Sequence, residues 1–166
     1  IIGNSSFFGG GICLMDNSNP SLVNVSIIDN DVSGYGGGIF CRGSSPTLVN
    51  VTITNNTGGG IHIDPGYELL PHGYIYGNLS LVNSIVWNNS PQEIICRDTI
   101  TISYSNIEGG ETAIVTSDNS VINWEEGNIN ANPLFADAAN DDYRLSDYSP
   151  AIGAGTPNGA PSTDLD

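Results

Sequence analysis

The chain has 166 residues, 39% of them hydrophobic, with 21 Gly and 9 Pro, a size and composition that suit one turn-rich domain with its own core. Eighteen acidic residues against three basic ones give a net charge of −15, which disfavours nucleic acid and anionic membrane surfaces as partners. No apolar run reaches membrane-spanning length, so no membrane insertion is expected. The three cysteines match neither a disulfide framework nor a zinc pattern.

A repeated sequence motif organises the first half of the chain. Gly-Gly-Gly-Ile begins at Gly9, Gly36 and Gly58, and Pro20 and Pro46, which follow the first two openings, are 26 residues apart. No window has helical periodicity, and each repeat reads as three short strands separated by turns. A period in the twenties without helices predicts a parallel β-helix, or β-solenoid, in which each coil buries its apolar face against the next.

The strands of each repeat supply the predicted core. The segments 12–14, 39–41 and 61–63 alternate apolar and other residues, which places Ile12, Ile39 and Ile61 in one stack and Cys13 and Cys41 on opposite faces. Six further residues are predicted inside: Leu22, Val25, Ile27, Leu48, Val51 and Ile53. Strict alternation back from Ile53 would instead place Val49 inward and Leu48 outward. The repeat pattern and the alternation thus give two alternative assignments for this strand.

Asparagines recur at equivalent places in the coils. Asn24, Asn50 and Asn83 follow a valine at each bend between strands, and stacked amides can form a ladder along the solenoid axis. The alternative is that these are ordinary turn asparagines that tolerate a left-handed backbone.

The third repeat carries an insertion near residues 64–78, because the spacing from Asn50 to Asn83 is 33 residues. Insertions in solenoids project from one face, often the binding face. We expect this loop to contact a sugar or a protein through Tyr67, His72, Tyr74 and Tyr76, with a purely structural bulge as the alternative.

The repeat pattern weakens towards the end of the chain. We predict coils over residues 1–126 and an irregular C-terminal cap or flank over residues 127–166, because a solenoid must cover the open end of its core. The candidate capping side chains are Trp124, Leu134, Phe135, Tyr143 and Leu145.

These residues resemble a known family. The run from Gly36 to Asn56 is similar to the right-handed parallel β-helix repeats of bacterial secreted and surface proteins in the pectate-lyase-like superfamily, and residues 127–155 resemble the C-terminal flank common in such exported proteins. The resemblance implies an all-β, right-handed parallel β-helix and a secreted or cell-surface location. It implies little about activity, because the fold hosts lyases, hydrolases, adhesins and passive fibres.

The sequence contains no complete catalytic set, so no catalytic residue is assigned. The lyases of the superfamily use an Arg or Lys base with a calcium site, and the bases here are Arg42, Arg97 and Arg144 without acidic partners assignable from sequence. The motifs of the related hydrolases are incomplete in this chain. Asp29 and Asp31 are the acidic pair within the regular coils, and their position near a turn favours a solvated turn over the paired carboxylates of a hydrolase.

Two groups of residues are candidate metal ligands. His62, His72 and Asp64 have metal-binding side chains, but alternation turns His62 outward and favours a solvated histidine. Calcium is expected as an optional ligand, not a required cofactor, and its candidate ligands are Asp137, Asp141 and Asp142.

The predicted function is non-catalytic: a segment of a longer exported surface protein that acts as a rigid adhesin, stalk or fibre unit, binds polysaccharide or a surface protein, and self-associates along the solenoid. The alternative is a polysaccharide-degrading lyase or glycoside hydrolase. Ice binding would need a flat threonine array, which Ser26, Thr52 and Ile85 do not supply. The more accessible glycosylation sequons are at Asn55, Asn78 and Asn88.

Overall fold

A computed structural model describes residues 1–67 and 73–158, and nearly all of its regular structure is strand. Two short 3-10 helices lie at Glu111–Ala113 and Ala138–Asn140. The strands are β1 (Ser5–Phe8), β2 (Ile12–Met15), β3 (Ser21–Ile28), β4 (Asp31–Tyr35), β5 (Ile39–Arg42), β6 (Thr47–Thr54), β7 (Ile61–Asp64), β8 (Gly66–Tyr67), β9 (Tyr74–Ile75), β10 (Asn78–Val82), β11 (Ile85–Trp87), β12 (Ile94–Cys96), β13 (Thr99–Ser103), β14 (Asn106–Ile107), β15 (Val115–Thr116), β16 (Val121–Trp124), β17 (Phe135–Asp137) and β18 (Asp142–Leu145). Among the described residues, no helix has the length and apolar character needed to cross a bilayer.

The coils stack as a parallel β-helix with three faces. The first face contains β3, β6, β10, β13 and β16, all paired in parallel. The second contains the later halves of β3 and β6 followed by β11 and β14. The third contains β2, β5, β7, β12 and β15, also in parallel. The predicted fold class is therefore confirmed.

The bend between the first two faces depends on asparagine. Asn24, Asn50 and Asn83 have φ angles of 54°, 54° and 52°, in the left-handed region that asparagine tolerates better than most residues. The bend interrupts the alternation of β6, so Leu48 and Val51, at 0% and 1% exposure, both point inward. Of the two assignments left open for β6, the inward residue is Leu48.

The core is a column of apolar side chains in register. Ile12, Ile39, Ile61 and Ile94 occupy successive rungs of the third face, and the last three are almost fully buried. The predicted isoleucine stack is confirmed, and the six further residues predicted inside all belong to this core or pack against it. Cys41 is buried and Cys13 is exposed, and both are free thiols.

A second set of asparagines forms a ladder through the interior. We define the asparagine ladder as Asn4, Asn30, Asn56 and Asn89. In each step the side-chain Nδ2 and the backbone N–H of one asparagine donate to Oδ1 of the next, at 2.8–3.0 Å. Asn30, Asn56 and Asn89 are buried, so the ladder satisfies polar groups that water does not reach.

The ladder predicted at Asn24, Asn50 and Asn83 has a different set of bonds. Nδ2 of Asn50 donates to Oδ1 of Asn24 at 3.3 Å. The side chain of Asn83 bonds instead to Thr156, whose backbone offers both a donor and an acceptor at 2.8 Å. These three residues thus combine the left-handed turn geometry with one amide-to-amide bond.

The insertion and the C-terminal segment both lie outside the coils. The strands β8 and β9, which precede and follow residues 68–72 in the chain, pair in antiparallel orientation and form the β8–β9 hairpin. In the C-terminal segment, Tyr143 Oη accepts a bond of 2.7 Å from Asn55 Nδ2, so this segment packs along the second face. Trp124 packs against the core in the last strand of the first face. Parallel pairing also joins Asn106 to Ile129, just beyond the predicted domain boundary.

Candidate functional site

A groove of about 400 Å³ lies outside the third face, next to the β8–β9 hairpin. We call it the lateral groove. Its floor consists of Arg42, Asp64 and Arg97, one wall contains Tyr67, Tyr74 and Tyr76, and the other contains Phe8, Tyr35 and Phe40.

The floor is assembled by strand register. Arg42 and Asp64 are the last residues of β5 and β7 and are directly paired, while Arg97 follows β12, whose strand pairs with β7. Because in-register parallel strands end at the same edge, three residues distant in sequence become neighbours. Nη1 of Arg97 lies 3.5 Å from Oδ1 of Asp64, and its guanidinium lies 5.9 Å from the ring centre of Tyr35.

His62 is buried beneath this floor at 1% exposure. Its ring lies 4.7 Å from that of Tyr35 and 5.6 Å from that of Phe40. Its Nε2 atom is 3.1 Å from Oδ1 of Asp64, although the alignment falls short of a well-formed hydrogen bond. The prediction of a solvated histidine is wrong, because aromatic rings cover the outer side of this sheet.

Asp64 is kept ionised by its neighbours. Burial alone would raise the pKa of its carboxyl, but the contacts and charges of His62 and Arg97 outweigh burial and lower that pKa. Nε of Arg42 and Nδ1 of His62 are buried without hydrogen-bond partners. The floor therefore combines an ionised acceptor with donor capacity that the protein leaves unused.

The tyrosine wall comes from the insertion. The ring centres of Tyr67 and Tyr74 are 5.6 Å apart, and those of Tyr74 and Tyr76 are 6.1 Å apart. The three residues are 66%, 55% and 63% exposed, which is unusual for neighbouring aromatics in a globular protein. The structure thus brings together three of the four residues predicted to bind ligand, while His72 lies outside the described residues.

The charge of the groove is opposite to that of the molecule. The chain has a net charge of −15 and three basic residues, and two of these, Arg42 and Arg97, line the groove. The third, Arg144, forms a two-point contact with Asp142 at 2.7 and 2.9 Å. Asp64 is the one carboxylate among the described lining residues, so the paired carboxylates of an inverting hydrolase are not assembled from these residues.

The candidate calcium ligands lie in the C-terminal segment. Asp142 is engaged by Arg144, which lowers the pKa of its carboxyl to about 2, and Asp137 accepts a 2.7 Å bond from Asn140. Asp141 follows a 3-10 helix with a left-handed backbone. Within residues 1–67 and 73–158, no three His, Cys, Asp or Glu side chains are placed to hold a metal ion. Calcium binding stays a prediction without geometric support.

The remaining candidate positions are dispersed. Asp29 and Asp31 are exposed near a turn. Among the glycosylation sequons, Asn78 and Asn88 are exposed, whereas Asn55 is half-buried and bonded to Tyr143 and Asn88. Glycosylation of these three stays a prediction.

Stacked parallel coils, an internal asparagine ladder and a lateral groove define a parallel β-helix repeat protein. Residues 1–95 match the family model described as the right handed beta helix region, which covers more than half of the chain, and the chain belongs to that family. Comparisons with curated proteins and with solved structures gave no match.

Proposed function

We propose that this chain is a non-catalytic, rigid segment of an exported surface protein, and that it binds acidic polysaccharide in the lateral groove. One observation carries the proposal: Arg42 and Arg97 converge beside three exposed tyrosines on an otherwise strongly acidic protein. Guanidinium groups bind carboxylates and sulfates through paired hydrogen bonds. Flat aromatic rings offer apolar faces on which sugar rings can pack.

The charge distribution favours an anionic ligand over a neutral one. A ligand anion brought to Arg42 and Arg97 gains two nearby cations against the charge of Asp64, the one acidic side chain among the described residues that line the groove. Elsewhere on the surface the excess of acidic residues repels the same ligand, so electrostatics directs it to the groove. Asp64 supplies a charged acceptor for a sugar hydroxyl.

The stacked coils support the role of a stalk or adhesin. A continuous core and in-register strands give each coil the same neighbours above and below, so the groove is held on a stiff support. Secretion or surface exposure, and end-to-end self-association, belong to this proposal and rest on the resemblance to exported β-helix proteins. Sedimentation velocity over a range of concentrations tests self-association.

The test of binding uses calorimetry with oligogalacturonate and with its methyl ester, in which each carboxylate charge is removed by esterification with a methyl group. We expect the acid to bind and Arg97→Gln to weaken its binding at least about tenfold, the loss typical of one charge-assisted contact. Arg144→Gln is the matched control, because Arg144 lies outside the groove and pairs with Asp142. Absence of binding to any acidic glycan, or equal losses in the two variants, would contradict the proposal.

A lyase is the second candidate, because Arg97 and Asp64 meet in the groove and β-elimination needs a positioned base and a cation near the uronate carboxylate. The ultraviolet absorbance of the unsaturated product distinguishes the two functions. The binding proposal predicts no such product from polygalacturonate, with or without calcium, while a lyase produces it and loses activity in Arg97→Gln.

A further inference from the structure

The asparagine ladder does not end in another amide. Beyond Asn89 its place is taken by Glu93, which is 8% exposed. Oε1 of Glu93 accepts the backbone N–H of Asn89 at 2.8 Å, and Oε2 accepts the side-chain Nδ2 at 2.5 Å. A carboxyl group therefore accepts the two donors that an asparagine oxygen accepts in every earlier step of the ladder.

A second carboxyl group lies against the first. Glu108 follows β14 in the next coil, and its Oε2 accepts the backbone N–H of Asn88 at 2.7 Å. Asn88 and Asn89 are consecutive residues, so the carboxyl groups that accept their backbone N–H groups lie at the same turn. Two ionised carboxylates at one turn are both pure acceptors and repel each other, whereas one shared proton lets one carboxyl group donate to the other.

We propose that Glu93 and Glu108, here called the carboxyl pair, share one proton and form a pH-sensitive device at the end of the asparagine ladder. With the proton present, the pair joins the turn at residues 88–93 to the next coil. When the proton leaves, two adjacent negative charges repel each other and weaken that junction. The turn leads directly into β12, whose end precedes Arg97 in the lateral groove.

The environment of the pair places this change near neutral pH. Burial is the largest cause that raises the pKa of Glu93, and Glu108 raises it further, while the bonds from Asn89 act in the opposite direction; the result is a pKa of about 7. Among the described residues, Glu108 is the one ionisable group that acts on Glu93. The ladder and the turn contribute only neutral amides.

The sign of the effect follows from proton linkage. Glu93 binds its proton more tightly in the folded protein than in the unfolded chain, where the ordinary value is 4.5. Stability is therefore greatest below the ordinary pKa and falls as pH rises through about 7. For one group with this shift, the folding equilibrium constant decreases about tenfold between roughly pH 6 and pH 8.

The test compares urea unfolding at these two pH values for the wild type, Glu93→Gln and Glu108→Gln, with the exposed Glu111→Gln as control. Glutamine imitates the protonated acid, since its oxygen can accept from Asn89 and its amide can donate to Glu108. We expect both pair variants to lose most of the tenfold pH dependence and the control to keep it. Equal pH dependence in wild type and Glu93→Gln would overturn the proposal.

A direct titration keeps the proposal falsifiable if a variant fails to fold. The side-chain carboxyl carbons of Glu93 and Glu108 are followed by NMR in the wild-type protein as pH is raised. We expect the Glu93 signal to move with a midpoint near 7, and the Glu108 signal to respond to the same transition because its carboxyl group lies at the same turn. A Glu93 midpoint below about 5, the ordinary range for glutamate, would overturn it.

Discussion

Nδ2 of Asn56 donates to Oδ1 of Asn89 at 2.8 Å, although the two residues are 33 positions apart in the chain. The same amide also donates to the backbone carbonyls of Ile27 and Thr54 at 3.0 Å. One side chain thus joins three successive coils where water has no access.

Replacement of Asn56 by alanine should strongly destabilise the protein. The change removes an amide donor from two buried carbonyls and removes one amide from the middle of the ladder, and we expect the free energy of unfolding to fall by about 2 to 4 kcal/mol. Asn123→Ala is the matched control, since Asn123 is exposed and makes one bond to Thr101; it should cost less than about 0.5 kcal/mol. Similar losses in the two variants in urea unfolding would contradict the role of the ladder.

The Gly-Gly-Gly segments that begin at Gly9, Gly36 and Gly58 are expected to tolerate no side chain. A Cβ atom at Gly38 would lie 2.5 Å from the carbonyl oxygen of Gly60 and 2.8 Å from Cγ2 of Ile53. Gly38→Ala should therefore lower the free energy of unfolding by about 2 to 3 kcal/mol.

Gly153→Ala separates this crowding from backbone strain. Gly153 has φ of +74°, and no atom of residues 1–67 or 73–158 lies within 4 Å of the position that an added methyl group would take, so its change to alanine should carry the backbone cost of about 1 kcal/mol. A loss at Gly38 no larger than that at Gly153, measured by thermal or urea unfolding, would show that the coils can separate to admit a methyl group.

The isoleucine stack should be sensitive to truncation. Ile39 is fully buried between Ile12 and Ile61, and Ile39→Ala should cost about 2 to 5 kcal/mol through lost burial and the cavity left behind. Val121→Ala is the control, because Val121 is 48% exposed on the last strand of the first face. Calorimetric unfolding should rank the two variants clearly, and an equal loss would argue against a shared core column.

His62 should control the acidity of Asp64. In His62→Phe an aromatic ring stays between Tyr35 and Phe40 while the contact with Asp64 disappears, so the pKa of Asp64 should rise. Because the native pKa of Asp64 is lowered, its contribution to stability is present above the unfolded value of 3.8 and is lost as pH falls through the lowered folded value. NMR titration of the Asp64 carboxyl carbon measures the change. An unchanged titration curve would mean that, of the two neighbours, Arg97 alone lowers the pKa of the Asp64 carboxyl.

Much of the fold was predictable because it repeats. The two prolines, 26 residues apart, and the recurrence of Gly-Gly-Gly-Ile indicate which residues meet in adjacent coils, and the 33-residue spacing from Asn50 to Asn83 locates the insertion. Turn asparagines were harder to assign. Asn30, Asn56 and Asn89 have the same spacings as Asn24, Asn50 and Asn83, so spacing alone does not say which series turns inward.

The candidate site was predictable only where it is local. Tyr67, Tyr74 and Tyr76 lie together in the sequence, and the insertion identified them. Arg42, Asp64 and Arg97 become neighbours only through strand register, although aligning the repeats would have put Arg42 and Asp64 side by side. The burial of His62 depends on Tyr35 and Phe40 in other coils, a long-range contact that alternation within one strand does not reveal.

The most direct test of binding in the lateral groove is NMR mapping of the wild-type protein during titration with oligogalacturonate. We predict saturable shift changes at the rings of Tyr67, Tyr74 and Tyr76 and at the guanidinium groups of Arg42 and Arg97, weakening with added salt, and unchanged signals at Arg144. Changes centred on Arg144 and the C-terminal segment, or no saturable change at any residue, would contradict the account.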